Sequence, residues 1–141
     1  MKKALVVFMF ITVLLLTACN NGSELTKDLK EGSFTYTIKD NEITITKYDG
    51  VEESVIIPET ILDIPVVHIK DMAFSACVHV KEVFIPESIK SIGVCAFNDT
   101  KWYKGLKDEF VIVGDGILIK CNQTETDIVI PEGVKSLSST F

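Results

Sequence analysis

The sequence predicts a mainly β solenoid: a short right-handed coil of two full repeats and a partial third, opened by a β-hairpin cap and interrupted by an inserted β-hairpin. Three observations carry this reading. Ile57-Pro58-Glu59, Ile85-Pro86-Glu87 and Ile130-Pro131-Glu132 repeat one phrase, each after a run rich in β-branched residues. Each copy is followed two residues on by an aliphatic side chain (Ile61, Ile89, Val134) and later by a phenylalanine (Phe74, Phe97, Phe141). Ala73-Phe74 and Ala96-Phe97 lie 23 residues apart, with Ile69 and Ile92 at the matching offset before each pair.

A fixed period in the twenties is that of leucine-rich-repeat solenoids, whose units bury their apolar faces only against neighbouring units. Such a unit needs a cap at its end. Residues 33–50 supply one: Phe34, Tyr36 and Ile38 alternate with Thr35, Thr37 and Lys39, and Ile43 and Ile45 alternate with Thr44 and Thr46. Period-two alternation marks half-buried strands. Asp40-Asn41 and Asp49-Gly50 supply turn chemistry. Repeat one then runs over about residues 51–79. Val55-Ile56-Ile57 is a strand that stops at Pro58, which cannot donate to a ladder, and Val66-Val67-His68-Ile69 is a second. Repeat two spans about residues 80–100, with Val83 and Ile85 in its first strand and Ile89 and Ile92 in its second. Pro58 and Pro86 are 28 apart, against 23 for the phenylalanines, so a loop is lengthened around Leu62-Asp63-Ile64-Pro65.

After Phe97 the period breaks. Residues 101–106 read as a helical turn. Two apolar runs around Gly114-Asp115-Gly116 read as a hairpin, and Ile128-Val129-Ile130 is expected to resume the repeat strand. The chain reaches Phe141 one step sooner from its proline than repeat two does. The expectation is a truncated array whose uncapped C-terminal end self-associates.

Residues 1–18 have the form of a processing signal. Lys2 and Lys3 precede an uncharged stretch over residues 4–18, shorter than the ~20 residues a membrane-spanning helix needs. Leu16-Thr17-Ala18-Cys19 resembles the bacterial lipobox, which implies cleavage before Cys19 and a diacylglyceryl thioether on its sulfur. Two or three acyl chains at about 0.8 kcal/mol per buried CH₂ give stable anchoring. Residues 19–32 are read as the lipidated cysteine and a flexible tether. Loss of the signal takes the formal charge from −6 to −8, because two of the 14 Lys and Arg leave and all 20 Asp and Glu stay. An acidic domain lacks the clustered cations that nucleic acid requires.

Taken together, the repeat, the Ile-Pro-Glu boundary, the Ala-Phe pairs and Phe74 to Cys77 resemble the BspA-like, or Treponema pallidum type, leucine-rich repeats over about residues 33–141. The resemblance implies a bacterial surface or secreted protein that adheres to host or matrix proteins or to other cells; with no catalytic constellation in the sequence, neither enzyme activity nor a cofactor is expected. Lys70 and Thr100 depart from the pattern, where a glycine and a cysteine are usual.

The candidate chemistry is sparse. Trp102 and Tyr103 are the best candidates for contact with a partner; the alternative is that they cover the solenoid's edge. Cys77, Cys95 and Cys121 are odd in number after Cys19 is lipidated and are read as unpaired thiols, Cys77 and Cys95 in the interior. His68, Cys77 and His79 lack the ligand spacing of structural zinc. No nucleophile-elbow or phosphate-loop motif occurs. Beside the adhesion module stands a second reading, a remnant fragment of a longer surface protein.

Overall fold

The computed structural model describes residues 27–124 and 126–138; the signal segment, Cys19 and Phe141 lie outside them. The hairpin cap forms as expected. Strands β2 (Phe34–Lys39) and β3 (Glu42–Tyr48) pair antiparallel around Asp40 and Asn41, whose φ of 51° and 60° match the twist of the flanking strands. Tyr36, Ile43 and Ile45 are buried. The reading of residues 19–32 as a tether does not hold at its C-terminal end. Strand β1 (Leu29–Glu31) pairs antiparallel with β2, and Lys30 sits 2.8 Å from Asp49. This short polar strand has no periodicity of its own; it forms because β2 offers an open edge of unpaired backbone groups.

The coils stack on two sides. On one, β3 pairs parallel with β6 (Ile64–Ile69), which pairs parallel with β8 (Ser91–Ile92), so that Ile45, Ile69 and Ile92 line up. On the other, β4 (Ser54–Ile56) pairs parallel with β7 (Glu82–Phe84), with Val55 beside Val83. The extra residues of repeat one make a second small hairpin. In it β5 (Thr60–Ile61) turns into β6 through Leu62 and Asp63, both left-handed at φ 54° and 61°.

Equivalent positions bond across coils. The Phe74 amide donates to the Ala96 carbonyl at 2.9 Å and the Met72 amide to Val94 at 3.0 Å. Asp71 accepts from the Val94 amide at 2.7 Å, and Asp99 accepts from the Ala76 amide at 3.0 Å. Glycine is required at 93, where a Cβ would lie 2.4 Å from the Asp71 nitrogen. Lys70, one coil earlier, bonds the cap strand at Ile45 instead and keeps its side chain. Cys95 matches Met72 in its left-handed backbone (φ 54° and 55°) and is half-buried, not interior as its offset suggested.

Phe74 and Phe97 are direct neighbours, their rings tilted by 31° with centroids 4.6 Å apart. They belong to a longer row. Tyr48 lies 5.1 Å from Phe74, Phe34 lies 5.2 Å from Tyr48, and Trp102 meets Phe97 edge-on at 5.2 Å. Tyr48 thus stands in the cap where a repeat would place its phenylalanine. Burying each inner ring contributes about 2–3 kcal/mol.

The helical turn is α1 (Lys101–Gly105), and it explains the threonine at position 100. Thr100 is fully buried, accepts from the Tyr103 amide at 3.0 Å as N-cap, and donates to the Phe97 carbonyl at 2.7 Å. The hairpin that follows, β9 (Phe110–Val113) and β10 (Ile117–Cys121), is more than an insertion. The Asp115 amide bonds the Ile89 carbonyl at 2.9 Å, and β10 pairs parallel with β11 (Ser136–Leu137). Strand β10 is therefore a rung of the stack, and the stretch from Pro86 to Pro131 holds two turns of coil. The repeat strand expected at Ile128-Val129-Ile130 is absent: these residues are irregular and 46%, 82% and 48% exposed. Among the described residues they have no strand partner: in the intervening turn the helix α1, and not a strand, lies against β7, and β10 serves the other side of the stack.

Candidate interaction surface

Two outward faces carry the candidate residues. Across β3, β6 and β8 runs a polar row. His68 Nδ1 is 2.6 Å from Ser91 Oγ, His68 Nε2 is 3.3 Å from Glu42 Oε2, and Lys90 Nζ is 3.6 Å from Glu42 Oε1. An open groove of about 450 Å³ lies along it, bounded by Thr44, Asp71 and Gly93. A hydroxyl, an imidazole and a carboxylate in line invite comparison with a nucleophilic relay. Acyl transfer also needs convergent N–H donors beside the hydroxyl, and Ser91 lies in the β6–β8 ladder, where amides serve strand pairing. The row's structural effect is to tie three successive strands together by their side chains.

The second face is apolar. Ile56 and Phe84, partners in the β4–β7 ladder, are 71% and 57% exposed. Val129 stands at the same offset before its proline and is also exposed. Glu53 and Lys81 flank the pair with a 2.7 Å ion pair. Side chains pointing out of a ladder at matched positions make a contiguous apolar strip, the kind of surface that protein partners cover. Sequence reading missed these residues, because an apolar run before proline reads as a buried strand. The signal that could have found them is period-two alternation: Val55 and Ile57 are buried on either side of Ile56.

Trp102 and Tyr103 both lean on the stack. Trp102 packs on Phe97, and its amide donates to the Val80 carbonyl at 3.0 Å. The Tyr103 hydroxyl donates to the Ile119 carbonyl at 3.1 Å, and Lys120 Nζ lies 5.1 Å over its ring. Burial pushes the Tyr103 hydroxyl above its usual pKa, with Cys95 adding to the shift. Cys77 is buried, with Sγ 3.7 Å from the Tyr48 carbonyl; burial, then Asp99, raises its thiol pKa. His68 is engaged on the polar row, apart from Cys77. Among the described residues Cys77, Cys95 and Cys121 are free, and no group of three His, Cys, Asp or Glu side chains is placed to hold a metal. No helix among the described residues is long and apolar enough to cross a membrane.

Parallel short strands on two sides, a shared aliphatic and aromatic interior and cross-coil bonds at a 23-residue offset define a leucine-rich-repeat solenoid. The chain belongs to the BspA type: the family described as BspA type Leucine rich repeat region (6 copies) matches residues 52–141. Two solved structures are similar to it. One is the T. pallidum leucine rich repeat protein, 33% identical, with 52% of this chain and 35% of that one covered and a TM-score of 0.47. The other is a leucine rich cell surface protein from Faecalibacterium prausnitzii, 32% identical, with 53% of this chain and 22% of that one covered and a TM-score of 0.49. The matched part is about a third of the first protein and about a fifth of the second. A comparison with curated proteins returns no match. Leucine-rich repeats are scaffolds for protein–protein interaction, and this chain is a repeat protein of that kind.

Proposed function

We propose that the chain is a non-enzymatic adhesion or protein-binding module, held at the outer face of a bacterial membrane by a lipid on Cys19. The observation that carries the binding role is the exposed pair Ile56 and Phe84. A chain that buries Ile57, Ile61, Val80 and Ile89 nearly completely has the interior it needs, and leaving these two side chains outside costs hydrophobic stabilisation unless a partner covers them. The lipobox supports the anchor. The polar row presents hydrogen-bonding groups beside the groove, as an interface rim does. Trp102 and Tyr103 serve in this reading as cover for the aromatic row. Self-association would use the apolar recess of about 190 Å³ that Phe110, Ile128, Ile130 and Leu137 line.

The test uses the full chain reconstituted in liposomes. Wild type should retain a protein from a surface extract, and Ile56→Asp with Phe84→Asp should release it without lowering the melting temperature. Equal retention by both forms would remove this face from the reading. Mass spectrometry of the membrane fraction should find an acylated Cys19 peptide, whereas an unmodified Cys19 would end the anchoring proposal. A strict monomer by light scattering at high concentration would remove self-association.

A further inference from the structure

The cap covers only half of the first coil. That coil turns two strands toward the N-terminal end of the stack, β6 and β4. Among the described residues β3 pairs with β6, whereas β4 has a strand partner on one side alone, β7. The bonds to β7 use the Glu53 carbonyl and the Ile57 amide, with Val55 between them. By the alternation of a parallel ladder, the N–H and C=O of Ser54 and Ile56 point the other way. There they face a cleft of about 360 Å³ between β4 and the β1–β2 turn. Its apolar lining includes Phe34, Tyr48, Val55 and Ile61, and among the described residues its charged lining is Glu31 and Glu52. Glu52 is fixed by the Tyr48 hydroxyl at 2.6 Å, a pairing that fits because Gly50 has no Cβ: one placed there would lie 2.2 Å from that hydroxyl oxygen.

We infer that this cleft is a peptide-binding site, in which an extended segment of a protein partner adds to the free edge of β4, seats an apolar side chain between Tyr48 and Ile61, and places a lysine or arginine against Glu31 and Glu52. An open strand edge supplies main-chain bonds to any extended chain; pockets for alternate side chains select among chains. The two carboxylates, neither of them ion-paired with a lysine or arginine among the described residues, make the selection for a basic residue. The inference deepens the binding role proposed above. It does not depend on the Phe84 side chain, which is outside the cleft lining.

The probe is a fluorescent nine-residue peptide of alternating valine and threonine with one lysine near its centre, titrated into the full chain in detergent. A counterpart carries glutamate in place of the lysine. The lysine peptide should bind saturably and at least tenfold more tightly than the glutamate one. Ile56→Pro removes an edge N–H that β7 does not use and should weaken binding at least fivefold. Glu31→Gln with Glu52→Gln should erase the preference for lysine, whether or not the proline variant folds. Phe84→Asp alone, at a side chain outside the cleft lining, should leave peptide binding intact, which separates this site from the apolar face. Indifference to peptide charge would overturn the inference, as would undiminished binding to a folded Ile56→Pro variant. So would binding that emerges only after residues 19–26 are removed, since the cleft would then belong to the chain's own N-terminal segment.

Discussion

The three Ile-Pro-Glu segments share a sequence and have two different fates. Val55 and Ile57 in the first copy and Val83 in the second are buried, and their strands pair in register. In the third copy Ile128, Val129 and Ile130 are exposed and form no ladder. The phrase is not what makes the strand. A strand forms when the neighbouring coil brings a partner to its edge, as β4 and β7 do for each other. After β7 the chain spends a turn on α1, which packs against β7 without pairing as a strand, and on the β9–β10 hairpin, whose β10 serves the other side of the stack. A solenoid's local structure is thus set by its neighbours, and intrinsic strand propensity is secondary.

The largest test of that contrast sets Phe74 against Ile130. Phe74→Ala removes a fully buried ring with aromatic neighbours on both sides and should cost about 3–5 kcal/mol in urea unfolding. Ile130→Ala should stay within about 0.5 kcal/mol. Similar losses at the two sites would erase the distinction.

Next come two glycines. Gly93→Ala drives a methyl group into the Asp71 backbone of the coil before it and should cost about 1–3 kcal/mol. Gly105 has nothing within 4 Å of the same methyl, so Gly105→Ala should be neutral or stabilise by about 0.4–1 kcal/mol. Thr100→Ala loses the N-cap of α1 and should lower stability by about 1 kcal/mol, read by thermal melting.

The smallest effect is on acid stability. The Tyr48 hydroxyl on Glu52, Lys30 on Asp49 and Lys81 on Glu53 hold those carboxyls below their ordinary pKa. A lowered carboxyl contributes stability that is fully present above its unfolded value and is lost as pH falls through its folded value. The urea midpoint should therefore be flat above about pH 5 and fall below it, and Glu52→Gln should make that fall shallower. A midpoint that instead rose on acidification would contradict these pairings.

Much of the fold is legible in the residues. The 23-residue offset, the lengthened loop at Leu62-Asp63, the cap hairpin and the glycine-flanked turn are all local patterns. What escapes a linear reading is set by pairing. Leu29–Glu31 becomes a strand because β2 has an open edge. Tyr48 joins the aromatic row because β3 lies in register with β6, although no Ala-Phe pair marks it. Strand β10 becomes a rung because Asp115 meets Ile89. The binding surface was less legible still: Trp102 and Tyr103 stood out by residue type, whereas Ile56 and Phe84 show themselves only once their ladder is oriented.

The central claim is that matched offsets become touching neighbours across coils. A double-mutant cycle on Phe74 and Phe97, each replaced by leucine, measures that contact directly. With ring centroids 4.6 Å apart, the coupling energy should be about 0.5–1.5 kcal/mol. Losses that simply add, leaving a coupling of about zero, would mean the two rings do not meet and the coils do not stack as described.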